Sequence, residues 1–318
     1  MSFRFVSTGS YVPENVVTND DLAQFLDTSD EWITQRVGIK ERHISQGESA
    51  ADMAIRAAQN ALDAAGLKGE DIDLIIAATL TADHRCPGVA ATVQNAIGAH
   101  GIAFDMSAAC SGFIFALETA AGYFERNTCT RALVIGAEQM SRILDWTDRG
   151  TCVIFGDGAG AAILEKGDNL IASKLFTRGG NEVIDIFDVT VETPFYHPEE
   201  KWMPHVFMNG QETFKFAVNT ITTDIPALLE EAGLTDDDIS YYVLHQANVR
   251  ILQFAVKRLK SNPDKFPMNI DRIGNTSAAS VPILLDELNR AGKLERGKLF
   301  VLSAFGGGLT GATAVVRW

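Results

Sequence analysis

Ala65-Gly-Leu-Lys-Gly-Glu-Asp-Ile-Asp-Leu-Ile-Ile76 returns 167 positions later as Ala232-Gly-Leu-Thr-Asp-Asp-Asp-Ile-Ser-Tyr-Tyr-Val243. The same offset carries Arg131-Ala-Leu-Val-Ile-Gly-Ala-Glu138 onto Lys298-Leu-Phe-Val-Leu-Ser-Ala-Phe305. Two matches at one spacing mark an internal duplication, and a repeat sets the architecture of all that surrounds it. Gly160-Ala161 and Gly311-Ala312 match at an offset of 151, so the first copy carries 16 extra residues between Glu138 and Gly160.

Each copy alternates strand and helix patterns. In the first, strand Phe3–Thr8 leads to helices over Asn19–Leu26 and Ser49–Ala65. Strand Leu74–Ala78, helix Gly88–Ile97, a short buried strand over Gly101–Met106, a buried helix and strand Ala132–Ala137 follow. A further strand should precede a turn at Gly156-Asp-Gly-Ala-Gly160, with Ala161–Leu164 extending the sheet. In the second copy, helix Glu212–Ala232, strand Tyr241–Leu244, helices Val249–Leu259 and Ala278–Ala291 and two terminal strands complete the pattern. Such alternation predicts an α/β fold with a mostly parallel sheet covered on both faces. The two pseudo-symmetric halves span residues 1–168 and 169–318. Arg178 to Met208 lacks periodicity and reads as a long functional loop.

The 318 residues include 27 Lys and Arg against 41 Asp and Glu, a net charge of −14 with no basic tail. That balance disfavours nucleic acid, whose phosphates need a basic footprint. No run reaches the roughly 18 apolar residues of a membrane helix. The N-terminus has no signal-peptide core. The four cysteines (Cys86, Cys110, Cys129, Cys152) show no C-x-x-C spacing, which argues for a reducing, cytoplasmic setting without a disulfide framework or zinc site.

The chemistry centres on Asp105-Met-Ser-Ala-Ala-Cys110-Ser-Gly-Phe-Ile-Phe-Ala-Leu-Glu-Thr-Ala120. Apolar groups on nearly all sides of the helix pattern place that helix inside the protein. Cys110 stands at its start, where free N–H groups and the helix dipole would favour a thiolate. On this stretch alone a packing cysteine serves as well as a nucleophile. The offset maps Cys110 onto Ser277, two residues after Asn275, so the repeat brings Asn275 near Cys110. His245 ends strand Tyr241–Leu244, at the strand end where α/β sheets gather catalysts. Taken alone, His245 could be a core histidine and Asn275 a turn or cap residue; taken together with Cys110, they describe a nucleophile site. Gly306-Gly-Gly-Leu-Thr-Gly311 fits a dinucleotide pattern, but the seven residues after it read as a strand, so exposed backbone N–H groups for an oxyanion are the useful alternative.

Ala-Ala-Cys110-Ser-Gly-Phe, His245-Gln-Ala-Asn-Val-Arg250-Ile and Gly274-Asn275-Thr-Ser-Ala-Ala-Ser-Val-Pro resemble β-ketoacyl-acyl carrier protein synthase III, of the thiolase-fold condensing enzymes. So do Asp30-Glu-Trp32-Ile-Thr-Gln-Arg36-Val-Gly-Ile, Asp148-Arg149-Gly-Thr and Phe305-Gly-Gly-Gly308. The resemblance runs from Gly9 to Trp318 and is weakest between Arg178 and Met208. It implies a thiolase-like fold with layers α-β-α-β-α, and a decarboxylative condensation of an acyl-CoA with malonyl-acyl carrier protein through an acyl-Cys110, the step that initiates fatty acid synthesis. His245 and Asn275 would stabilise the enolate, and the N–H groups of Cys110 and Gly307 the oxyanion. Trp32, Arg36 and Arg149 would grip CoA; Lys215, Arg250, Lys257 and Arg258 would meet the carrier protein. Cys86 and Phe305 would line the acyl pocket, with Cys86 where the family often has a bulky aromatic, which suggests longer or branched primers. A homodimer, and no metal or redox cofactor, are also implied. Alternatives are a related acyltransferase or ketosynthase of specialised metabolism, a papain-like hydrolase (disfavoured by the duplication), and a scaffold without activity.

Overall fold

The computed structural model describes residues 2–199 and 203–318; positions 200–202 of the expected loop lie outside it. The first copy runs β1 (Ser2–Tyr11), β2 (Val16–Thr18), α1 (Asn19–Leu22), α2 (Asp30–Val37), β3 (Glu41–His43), α3 (Ala50–Ala65), β4 (Leu74–Ala78), α4 (Val89–Ile97), β5 (Ile102–Met106), α5 (Gly112–Glu125), β6 (Arg131–Gln139) and β7 (Asp157–Gly167). The second runs β8 (Leu170–Thr177), β9 (Ile184–Ile186), β10 (Val206–Met208), α6 (Gly210–Glu231), β11 (Ile239–Leu244), α7 (Val249–Leu259), α8 (Ile270–Ile273), α9 (Ser280–Arg290), β12 (Leu299–Gly306) and β13 (Thr310–Arg317).

The duplication is visible in the sheets. One has the order β1-β7-β6-β4-β5, the other β8-β13-β12-β11, the same arrangement less one strand. Helices α5 and α9 lie between the sheets, where Phe113, Leu117 and Phe124 meet Leu284, Leu288, Phe300 and Leu302 in one core. Outside the first sheet, α3 and α4 bury Met53, Ala57, Leu62 and Val93 against Ile75 and Leu133. Outside the second, α6 and α7 bury Ile221, Ile225 and Leu252 against Leu244 and Val301. The result is the layered α-β-α-β-α fold. Local signals agree with it: Ser49 caps α3 with a capping box to Asp52, and Gly66 ends the helix in the left-handed conformation.

Several expectations need correction. The sheets are mixed rather than mostly parallel: β5–β4, β4–β6 and β11–β12 pair parallel, while β6–β7, β7–β1, β12–β13 and β13–β8 pair antiparallel. Only residues 307–309 join β12 to β13, and so short a link cannot make the crossover a parallel pair requires. No strand precedes Gly156; residues 151–154 are turns, Phe155 makes an isolated parallel bridge to Asn275, and the glycines lie in the lead-in and first half of β7. A Cβ on Gly160 would sit 2.7 Å from the backbone of Pro282 and Ile283, so its glycine marks the approach of α9 to the strand. Residues 102–106 form an edge strand with Ile102 41% exposed, not a buried one. Helix α1 stops at Leu22 because the N–H groups of Gln24 and Phe25 reach back only three residues. Strand β8, the counterpart of β1, was not anticipated, and the segment 178–208 contains the β9–β10 ladder.

Register also revises the repeat. Gly136 faces Gly160, 24 positions on, whereas Ser303 faces Thr313, 10 positions on, so the first copy's excess is 14 residues, not 16. It occupies the 140–156 connection. At the helix starts the two copies slip by one. Ala109 and Ser277, both at positive φ (47° and 49°), are 168 apart, which makes Ala278 rather than Ser277 the backbone counterpart of Cys110.

A Cβ on Gly136 would fall 2.2 Å from the Ala278 carbonyl oxygen, whereas one on Gly122 meets nothing within 4 Å. Gly136→Ala should therefore lower stability by about 1–3 kcal/mol in urea unfolding. Gly122→Ala, inside α5, should raise it by about 0.5–1 kcal/mol. Equal effects of the two would contradict the packing described.

Candidate active site

Cys110 is presented by strain and close packing. Ala109 adopts a left-handed conformation without being glycine, which costs of order 1–3 kcal/mol, and the Ala109–Ser111 turn then delivers the chain into α5. Gly306, the last residue of β12, lies against this turn, where a Cβ would sit 2.7 Å from the Cys110 nitrogen. Thr310 Oγ1 fixes the turn by donating to the Ala108 carbonyl at 3.0 Å and lies 3.2 Å from Ser111 Oγ.

The other lobe supplies His245 and Asn275. His245 follows β11 directly; its backbone N–H donates to the Ser303 carbonyl at 2.8 Å, and its ring meets Phe305 edge-to-face with centroids 5.3 Å apart. Nδ1 is enclosed without a partner among the described residues, leaving Nε2 as the ring atom able to bond a substrate. Burial holds the imidazole neutral, its pKa pushed down to about 3. Asn275 Oδ1 accepts from the Ser277 backbone N–H at 2.9 Å, so its Nδ2 hydrogens are left to donate elsewhere. The Asn275 backbone is clamped to the 140–156 connection: its N–H donates to the Ile154 carbonyl, and its carbonyl accepts from the Gly156 N–H.

One pocket of about 1800 Å³ is lined by all three residues together with Ser277, Phe305 and Gly306 to Gly308. Gly307 is among its walls, where an added Cβ would sit 3.3 Å from Ile184 and 3.8 Å from the Ala109 Cβ. The same pocket reaches Trp32, Arg36 and Arg149. Trp32 is half-buried, and the guanidinium groups of Arg36 and Arg149 both lie over its ring, 4.7 Å and 5.2 Å from the centroid. Arg149 comes from the 140–156 connection and is tied to Asp27 at 3.0 Å. Lys215 and Arg250 also line the pocket; both are exposed, and Lys215 pairs with Glu212. Lys257 and Arg258 are exposed farther along α7, outside the pocket, with Arg258 over the Phe254 ring. Cys86 is exposed and does not line the pocket of its own chain, in contrast to its expected place there; the pocket wall takes His84 and Arg85 instead.

The thiol's electrostatics also differ from expectation. Although Cys110 keeps some exposure to the pocket, dense protein around the sulfur pushes its pKa up to about 12. Two neighbours were not anticipated as functional residues. Cys110 Sγ donates to Ser277 Oγ at 3.5 Å, and Ser277 Oγ donates to Glu138 Oε1 at 3.2 Å. Glu138 is fully buried at the carboxyl end of β6. A lone acid closing an apolar strand run was the signal available in the sequence.

Residues 104–179 match the family model described as 3-oxoacyl-[acyl-carrier-protein (ACP)] synthase III, and residues 229–318 match its C-terminal model. A β-ketoacyl-[acyl-carrier-protein] synthase III of Clostridium acetobutylicum is 46% identical over all of this chain and 99% of its own length. The chain belongs to the 3-oxoacyl-[acyl-carrier-protein] synthase III family. It is a condensing enzyme, a ketosynthase of the acyltransferase type. The crystal structure of a synthase III from Aquifex aeolicus superposes with a TM-score of 0.91 at 41% identity, covering both chains completely. The priming β-ketosynthase of the R1128 polyketide pathway gives 0.92 at 33% identity, covering 99% of this chain and 96% of that one.

Because burial holds His245 neutral far below the ordinary imidazole range, its ring NMR signals should not titrate between pH 5 and 8. A midpoint near 6.5 would contradict the dry environment described.

Proposed function

We propose that this synthase III makes a β-ketoacyl chain from an acyl-CoA primer and malonyl-acyl carrier protein, in two steps at Cys110. In the first, the Cys110 sulfur attacks the primer's thioester carbonyl, and the backbone N–H groups of Cys110 and Gly307 hold the oxyanion while CoA leaves. In the second, His245 Nε2–H and Asn275 Nδ2–H donate to the thioester carbonyl of the malonyl group. Its carboxylate departs as carbon dioxide, and the resulting enolate attacks the acyl carbon. A neutral imidazole suits this role, since it donates without offering a competing charge. The observation that carries the proposal is the shared pocket, where a thiol from one lobe meets an imidazole and a carboxamide from the other.

Trp32, Arg36 and Arg149 would receive the CoA adenine and phosphates, a flat ring and two guanidinium forks at the far reach of that pocket. Lys215 and Arg250 at the pocket edge, continued by Lys257 and Arg258 on α7, would offer an acidic carrier protein a basic dock on a chain of net charge −14. The working unit would be a homodimer in the cytoplasm. In support, β5 is an unpaired sheet edge with Ile102 exposed, the kind of edge a second copy covers. Cys86 would then face the partner's acyl pocket, and its small side chain would admit longer or branched primers. The steps as drawn call on no metal or redox cofactor.

Intact-protein mass spectrometry with an acyl-CoA panel should show one acyl group per chain, absent in Cys110→Ala. His245→Ala and Asn275→Ala should still acylate, yet release carbon dioxide from malonyl-carrier protein about 10²–10³-fold more slowly. Loss of acylation in those two variants, or its survival in Cys110→Ala, would refute the assignment. Branched and four- to five-carbon primers should load about as well as acetyl-CoA; uniform failure above acetyl would refute the role given to Cys86.

A further inference from the structure

Acylation must remove a proton from a thiol that its surroundings hold firmly protonated. His245 is kept neutral by burial, and no bond joins its ring to the sulfur among the described residues. The sulfur's hydrogen-bond partner is instead Ser277 Oγ, at 3.5 Å, which in turn donates to Glu138 Oε1 at 3.2 Å. Glu138 is wholly enclosed, yet no Lys, Arg or His pairs with it among the described residues. Its other oxygen is met by donors only: Thr81 Oγ1 at 2.6 Å, the Leu80 N–H at 3.2 Å and Thr79 Oγ1 at 3.3 Å.

We propose that Ser277 and Glu138 form a proton relay for Cys110, taking the thiol proton during acylation and returning it when condensation frees the sulfur. Ser277 touches the reacting atom and is a catalytic residue; Glu138 acts through it as a positioning residue. The inference rests on Cys110 being the acylated nucleophile.

The steps balance. As the sulfur bonds to the acyl carbon, its proton passes to Ser277 Oγ, and the hydroxyl's own proton passes to the Glu138 carboxylate. The carbon–sulfur bond of the primer breaks, and CoA leaves as a thiolate that takes a proton from water. In condensation, the electron pair released with carbon dioxide forms the new carbon–carbon bond and Cys110 is expelled as a thiolate. Glu138 then gives its proton back through Ser277, restoring thiol and carboxylate. Condensation consumes one proton overall, and the relay supplies it.

Two physical features fit the task. Burial opposed by its four donors places the Glu138 pKa at about 7, so near neutrality the group can both accept and release a proton. The groups facing it are few. Cys110 stands across Ser277 from the turn before α5, and the Thr79–Thr81 segment after β4 contributes only neutral donors. At the start of β7, Asp157 is engaged by Ser45 and Ser141.

The test is the rate of Cys110 acylation by acetyl-CoA, read by rapid quench and intact mass between pH 5.5 and 9. In the unaltered enzyme the rate should rise with pH through a midpoint near 7, as Glu138 ionises, and then level off. Glu138→Gln and Ser277→Ala should each lose that midpoint, fall at least tenfold at pH 7.5, and recover only in alkali where the thiol ionises directly. Glu138→Asp should regain part of the rate together with the midpoint, which a merely structural role would not restore. A profile in Ser277→Ala or Glu138→Gln that overlays the unaltered enzyme's would overturn the relay. Should Glu138→Gln not fold, Ser277→Ala and the unaltered profile decide by themselves. Absence of any acyl-Cys110 in the unaltered enzyme would overturn the nucleophile assignment as well, a result distinct from an unmoved profile.

Discussion

Everything at the centre of this molecule depends on how closely two helix starts approach each other. The turns before α5 and α9 meet between the sheets, and they can do so only where side chains are missing. Gly112 has the Ala78 Cβ 2.9 Å from where its own Cβ would be, Gly136 makes room for the Ala278 carbonyl, and Gly306 for the Cys110 backbone. Glycine is therefore required at these three positions. The approach also buries His245 and Glu138, and burial strengthens hydrogen bonds and penalises unpaired charge.

That burial accounts for the electrostatics. A thiol at a helix start is ordinarily acidified, but here burial raises the Cys110 pKa. The same effect keeps His245 neutral and moves Glu138 toward neutrality. One cause thus acts on all three groups: it keeps the imidazole neutral for decarboxylation, brings Glu138 near neutrality, and leaves the thiol in need of a base before acyl transfer.

Symmetry built the centre, and departures from symmetry built its access. The second copy turns from β12 to β13 in three residues, whereas the first inserts 140–156, which brings Arg149 beside Trp32 and clamps the Asn275 backbone. Much of this was legible in the sequence. The Ala65 and Ala232 segments, the helix pattern over Ser49–Ala65 and the Cys110, His245 and Asn275 motifs placed the lobes and the pocket. Sheet direction was harder, because apolar strands such as β6 and β12 look alike whether their neighbours run parallel or antiparallel. Gly158 and Gly160 read as a turn, since composition does not reveal that a helix from the other lobe crosses them. Glu138 went unremarked because its partners, Thr81 and Ser277, come from distant parts of the chain. The thiol's raised pKa was hidden for a related reason: local sequence shows the helix terminus but not the protein packed around the sulfur.

The central claim is that the two lobes enclose one reaction space between Cys110 and the His245–Asn275 pair. A crystal structure of the Cys110 acyl-enzyme tests it most directly. The account predicts the acyl carbonyl oxygen within about 3 Å of the Cys110 backbone N–H, with the acyl carbon facing the His245 ring and the Asn275 carboxamide. An acyl group carried elsewhere, or one turned away from those two side chains, would contradict it.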